Sequence, residues 1–146
     1  MTTAYLNPGL PQPKAVPLDQ PYWEGLNHDV LKVQQCDNCG GYQWGPEWIC
    51  HRCLSDDISF VEVAPEGTIY SYERVWHPVH PALKDQGPYI VVLVELPDAG
   101  SVRMVGNLLG DPHQEVIIGS QVSGVFEHHT DADPEFTLLQ WQLRKK

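Results

Sequence analysis

Eighteen residues, CDNCGGYQWGPEWICHRC at positions 36–53, hold every cysteine of the chain. They stand as two Cys-x-x-Cys pairs, Cys36/Cys39 and Cys50/Cys53, with ten residues between the pairs. Two residues between thiolates let both sulfurs face one ion from a tight knuckle. The Gly-Gly and Gly-Pro turn signals between the pairs let a short hairpin carry the second pair back to the first. Gly40 follows Cys39, where a knuckle commonly requires positive φ. Four thiolates in a tetrahedron favour Zn2+, with iron as the alternative. Such a set has no open coordination position, so the ion is structural, and its binding supplies on the order of 10 kcal/mol or more of folding free energy. A segment this short could not bury enough core to fold without it. Two disulfides would need an oxidising compartment that nothing in the sequence supports. His51, between Cys50 and Cys53, reads as a surface residue.

The remainder must then build its own core. With 146 residues, 42% of them apolar, and five Trp and six Tyr, the chain suits one compact domain or a small module attached to a modest one. Nine Lys and Arg against 19 Asp and Glu give a net charge of −10. Nucleic-acid affinity depends on cations that neutralise phosphates, so a chain with no basic stripe is poorly made for that work. The terminal RKK reads as a solvated tail. No apolar run approaches the length needed to cross a bilayer, and residues 1–20 have neither a basic nor an apolar signal segment. The expectation is a cytoplasmic protein with no membrane or nucleic-acid partner.

Three regions follow: an extended arm over 1–18, a helix plus zinc ribbon over 19–60, and a β-domain over 61–146. The arm carries four prolines within its first 17 residues. A short helix starts near Asp19 as its cap, tolerates Pro21 in the first turn and aligns Tyr22, Trp23 and Leu26 on one face. VLKVQQC leads as a strand into the first knuckle. After ISFVEVA (58–64), five strands are punctuated by turns: 67–76, 88–96, 101–109, 120–128 and 135–143. DPHQEVIIG lengthens the connection between the third and fourth. Five strands with a long third connection are the plan of an OB-fold barrel, with a small sandwich as the competing arrangement. YIVVLV is apolar on both faces, whereas a half-exposed antiparallel strand should be polar on one. The ribbon, the helix or a partner protein must cover its outer side.

No nucleophile elbow, phosphate loop, dinucleotide fingerprint or zinc-protease motif occurs, and no cysteine is left over, so no catalytic residue is assigned. Four of the seven histidines fall in two loops, HPVHPALKDQGP (77–88) and HHTDADP (128–134). In an OB-fold these loops flank the usual binding face. His77 and His80, stiffened by prolines, and the following Tyr89 form a candidate ligand- or partner-facing surface. EHHTDAD reads as a polar hairpin in preference to a second metal site.

In order, PYWEGL, the paired cysteines, GTIYSY, the His/Pro loop, PYIVVLVEL, VRMVGNL and IGSQVSGVFE resemble a family of small proteins in which a rubredoxin-like zinc ribbon precedes an OB-fold. That family is catalogued as domain of unknown function thirty-five. The resemblance covers roughly residues 18–143. It implies a mainly β chain: a short helix, a ribbon whose metal is held by Cys36, Cys39, Cys50 and Cys53, and a five-stranded barrel. It also implies a non-catalytic accessory subunit of a thiolase-fold (SCP2-thiolase-like) acyl-CoA lyase, a retro-aldolase of bacterial steroid side-chain degradation. There the small subunit supports assembly, as a heterotetramer of two plus two, and helps form the passage for a coenzyme A thioester shared with its partner. The rival readings are a bridging subunit between a thiolase and a synthase, a nucleic-acid-binding ribbon and OB module, and a rubredoxin-like electron carrier.

Overall fold

The computed structural model describes residues 11–145; of the proline-rich arm, residues 1–10 lie outside the described residues. One helix, α1 (Gln20–Asn27), precedes eight strands: β1 (Leu31–Cys36), β2 (Tyr42–Gln43), β3 (Ile58–Val63), β4 (Glu66–Val75), β5 (Tyr89–Leu96), β6 (Val102–Asn107), β7 (Gln121–His129) and β8 (Phe136–Leu143). No helix among the described residues is long and apolar enough to cross a membrane.

The strands form two sheets, β2-β1-β3 and β6-β5-β4-β7-β8. The first is the ribbon. There β3 pairs antiparallel along the whole of β1, from Leu31 opposite Val63 to Cys36 opposite Ile58, so the ribbon sheet runs to Val63. The second takes the five strands read from the turn punctuation and curls them into a barrel. It closes where Leu108 bridges Trp141 in parallel and the Leu109 N–H donates to the Trp141 carbonyl at 2.8 Å. That parallel contact between the third and fifth barrel strands makes it an OB-fold and excludes the two-sheet sandwich. Gly106 makes the closure possible: a Cβ there would lie 2.7 Å from Trp141 Cδ1 and 2.8 Å from the Leu139 carbonyl. At the other turn of the barrel, β4 changes register against β5 between Ile69 and Ser71, leaving Tyr70 as the extra residue of a bulge.

One apolar core joins the helix, ribbon and barrel. Leu26, Leu31 and Val33 share it with Ile69, Ile90, Val92, Val94, Leu108, Val122 and Trp141. Leu26 is fully buried, and Tyr22 and Trp23 pack partly against the same core, as the helix spacing requires. The expected cap is different. The Asp19 carboxylate accepts the Val16 N–H at 2.8 Å, closing the turn before the helix, and makes no side-chain cap on the helix itself.

The two-faced strand β5 turns Ile90, Val92, Val94 and Leu96 into the barrel. Tyr89, Val91, Leu93 and Glu95 face outward and are half-buried. The elements packed along β5 are β4 and β6, while α1 packs on β1, β7 and β8. On this outer side the Tyr70 ring of β4 reaches across to β6, where the Arg103 guanidinium lies 3.6 Å from its centroid.

Candidate metal centre and the loops at the barrel rim

β1 ends on Cys36, whose carbonyl accepts the Gly40 N–H at 2.8 Å while its own N–H donates to the Gly41 carbonyl at 2.9 Å. This is the first knuckle, and Gly40 takes the positive φ of 75° that the sequence required. The second knuckle repeats the pattern: Cys50 N–H to the Ser55 carbonyl at 2.8 Å, and Leu54 N–H to the Cys50 carbonyl at 3.1 Å. Two buried glutamines, missed in the sequence, tie the knuckles together. Gln43 donates to Gln34 Oε1 at 2.9 Å and to the Ile49 carbonyl at 3.2 Å, and accepts the His51 N–H at 3.0 Å. Gln34 donates to the Glu47 carbonyl at 3.0 Å and accepts the Glu47 N–H at 2.9 Å. The loop from 47 to 51 is thus hung on the sheet by side-chain amides. The His51 ring is exposed, as expected.

The four sulfurs lie within 4.8 Å of one another, with Cys36–Cys53 and Cys39–Cys50 each at 3.6 Å. A disulfide would need about 2.05 Å. A tetrahedron of thiolates about 2.3 Å from zinc has sulfur–sulfur edges of roughly 3.8 Å. The donor set therefore fits a tetrahedral dication. N–H groups already point at the sulfurs: Cys39 N–H at Cys36 Sγ (3.5 Å) and Arg52 N–H at Cys50 Sγ (3.4 Å). The Asn38 amide, donating to Cys53 Sγ at 3.5 Å, and the Ser55 N–H pull the Cys53 thiol down to about 6. The Cys53 and Arg52 N–H groups lower Cys50 as well. Cys39 goes the other way. The Gly41 N–H lowers it, but sharing a proton with Cys50, burial and the other two sulfurs outweigh that and push it up to about 11. Crowded sulfurs compete for protons, and a bound dication would displace them.

The rim histidines are placed less simply. His77 is exposed. His80 accepts the Ala82 N–H on Nδ1 at 3.1 Å and caps the short turn Pro81–Leu83. Tyr89 opens β5 opposite Val75 and is half-buried. No hydrogen bond or ring contact joins these three among the described residues. The second loop is docked and not free. His128 lies between Asp29 Oδ1 (2.7 Å) and Thr137 Oγ1 (2.9 Å), and Thr137 donates to Asn27 Oδ1 at 2.8 Å. His129 pairs with buried Glu127 at 2.7 Å and stacks on Phe136 with centroids 4.5 Å apart. These contacts fasten the β7–β8 hairpin to the end of α1. Among the described residues the four cysteines are the one group that gathers metal-ligating side chains.

The sequence matches two family descriptions end to end: "ChsH2, rubredoxin-like zinc ribbon domain" over residues 23–59 and "ChsH2, C-terminal OB-fold domain" over residues 60–127. A solved structure described as "Ltp2-ChsH2(DUF35) aldolase" superposes with a TM-score of 0.75 at 33% identity, covering 90% of this chain and 98% of that chain. The chain belongs to the ChsH2 (DUF35) family. Its ribbon and barrel are the two domains of that family in that order. A DUF35-family protein of unknown function from Sulfolobus solfataricus shares the ChsH2 fold, with a TM-score of 0.60 at 16% identity over 88% of this chain and 86% of that one. Among curated proteins, a "Probable enoyl-CoA hydratase alpha subunit" from Thermomonospora curvata is 38% identical over 129 residues. The match takes in 88% of this ChsH2-family chain and spans 38% of that relative's length.

Proposed function

We propose that this chain is a non-catalytic accessory subunit of a thiolase-fold acyl-CoA lyase, a retro-aldolase acting in bacterial steroid side-chain degradation. The observation that carries the reading is the outer face of β5 with its neighbour β6. Val91 and Leu93 lie half-buried there and Val105 is 67% exposed, an apolar strip bordered by Tyr70 and Arg103. A face of this kind beside an otherwise closed core marks a protein contact. The homologous chain in the Ltp2-ChsH2(DUF35) aldolase supplies the kind of partner.

The chain's own groups support a helper's role. The second-loop histidines are engaged in docking the hairpin: Thr137, His128 and Asp29 stand in line, but Thr137 is 1% exposed and its hydroxyl donates to Asn27 Oδ1, so it is closed to a substrate. Cys36, Cys39, Cys50 and Cys53 would hold Zn2+, which when bound supplies structural cross-linking and no open coordination position. A coenzyme A thioester would be shared across the interface, near the rim where His77, His80 and Tyr89 stand. Its phosphates would meet the partner's cations, since Arg103 is paired with Glu95 at 3.0 Å and Arg74 donates to the Pro112 carbonyl at 2.9 Å. The assembly would be two plus two, in the cytoplasm.

The test is co-expression with a thiolase-fold neighbour, the proposed partner. A stable complex of both chains on size exclusion, with the neighbour less soluble when expressed alone, is the expected result. A monomer that leaves the neighbour's solubility and activity unchanged contradicts the proposal.

A further inference from the structure

Strand β4 is ten residues long, and its two edges are paired unequally. β5 pairs with it from Thr68 to Val75, whereas β7 pairs only from Glu66 to Thr68. The turn before β7 adds two more bonds, Ile69 N–H to the Ser120 carbonyl at 3.0 Å and Gly119 N–H to the Ile69 carbonyl at 2.8 Å. Beyond Ile69, no strand among the described residues lies against this second edge.

The ladder decides which backbone groups are left open. The Leu108 N–H donates to the Ile90 carbonyl at 3.0 Å, so Ile90 faces β6. Alternate residues of an antiparallel strand face alternate neighbours. Val91 and Leu93 therefore face β4 and bond to Glu73 and Ser71, their register partners. Tyr72 and Arg74 must then direct N–H and C=O away from β5, across the open edge. Proteins usually protect such an edge with lysine, proline or a covering loop. Here large apolar side chains stand near it: Tyr72 is 39% exposed, and Ile117 and Ile118 are 60% and 61% exposed, while Tyr70 turns the other way, to Arg103 on β6. The two isoleucines immediately precede Gly119, whose bond to Ile69 sets them where the edge opens. Arg74 meanwhile anchors its side chain on the Pro112 and Gln114 carbonyls, which holds the strand in place.

We propose that this edge receives an extended segment of the thiolase-fold partner, with apolar residues alternating with Lys or Arg, which adds a sixth strand to the barrel sheet. Open Tyr72 and Arg74 groups recognise extended backbone, and the exposed Ile117 and Ile118 receive apolar side chains. A second copy of this chain is the poorer occupant, because two bodies of net charge −10 would be brought together. The identity of the occupant rests on the proposed function, while the open edge itself does not.

Amide exchange followed by NMR reads the edge directly. In the complex with the thiolase-fold neighbour, the Tyr72 and Arg74 amides should slow by at least about tenfold, while those of Ser71 and Glu73, already bonded to β5, change little. Proline is tolerated where a strand's N–H faces outward, so Tyr72→Pro should fold and lose co-purification, whereas Tyr72→Thr, which keeps the N–H, should retain it. Unchanged exchange at Tyr72 and Arg74 within a formed complex overturns the edge proposal and leaves the proposed function standing. If the wild-type chain forms no complex, the proposed function falls. The edge is then read with a synthetic octapeptide of alternating Val and Lys: slowed exchange at the same two amides supports it, and none overturns it.

Discussion

Gln43 shows how much of the metal centre rests on a residue with no affinity for metal. At 5% exposed it bonds to Gln34, Ile49 and His51, so its loss leaves the Ile49 carbonyl and the His51 N–H without their side-chain partner and opens a gap beside Gln34. Gln43→Ala should destabilise the chain by about 3 kcal/mol and speed zinc loss to a chelator, read from a urea midpoint and a chromogenic chelator. A change below about 0.5 kcal/mol would mean that the loop from 47 to 51 does not depend on it. Cys39→Ser acts more severely: three thiolates and a hydroxyl should not hold the ion, and soluble yield and bound zinc should fall together. A well-folded, metal-free variant by elemental analysis and circular dichroism would contradict the structural assignment. The cysteines were legible because knuckle spacing is local. The glutamines were not, because a polar residue in a strand ordinarily reads as a solvent-facing position. The β1 pattern, with Val33 and Gln34 both buried, breaks the alternation that such a reading assumes.

At the scale of elements, the barrel depends on one seam. Gly106 lets the Trp141 ring lie against β6, and no side chain fits there without moving the ring or the Leu139 carbonyl. Gly106→Ala should cost about 2 kcal/mol or more, seen as a fall in melting temperature with zinc still bound. An unchanged melting temperature would show that the closure tolerates separation. The barrel strands were readable from turn punctuation and, YIVVLV apart, from apolar alternation, because both signals are local. The role of the 128–134 loop was not. His128 on β7 meets Asp29 across 99 positions and Thr137 on β8 meets Asn27 across 110, so the strand ends flanking the loop clasp the hairpin to the helix while the loop between them stays mostly exposed. Asp19 failed as a helix cap for a local reason: the Val16 N–H, three residues back, reaches its carboxylate first.

For the whole molecule, two surfaces bear on how it works with others: the apolar face of β5 and β6, and the open edge of β4. Replacing Leu93 and Val105 together by Asn should weaken complex formation by about tenfold or more while leaving the barrel folded, since Val105 is already 67% exposed in the single chain. Unfolding before dissociation, by size exclusion and circular dichroism, would show this face to be part of the chain's own core. The sequence announced this face through YIVVLV, but it could not say that Tyr70 would reach across to Arg103, since that depends on tertiary packing. The central claim is that reaction chemistry belongs to a mate and not to this chain. Its most direct measurement is carbon–carbon cleavage of a steroid side-chain acyl-CoA by three samples: this chain alone, the thiolase-fold neighbour alone, and both together. The account predicts no turnover by this chain alone and the highest turnover by the pair. Sustained turnover by this chain with no partner present would contradict it.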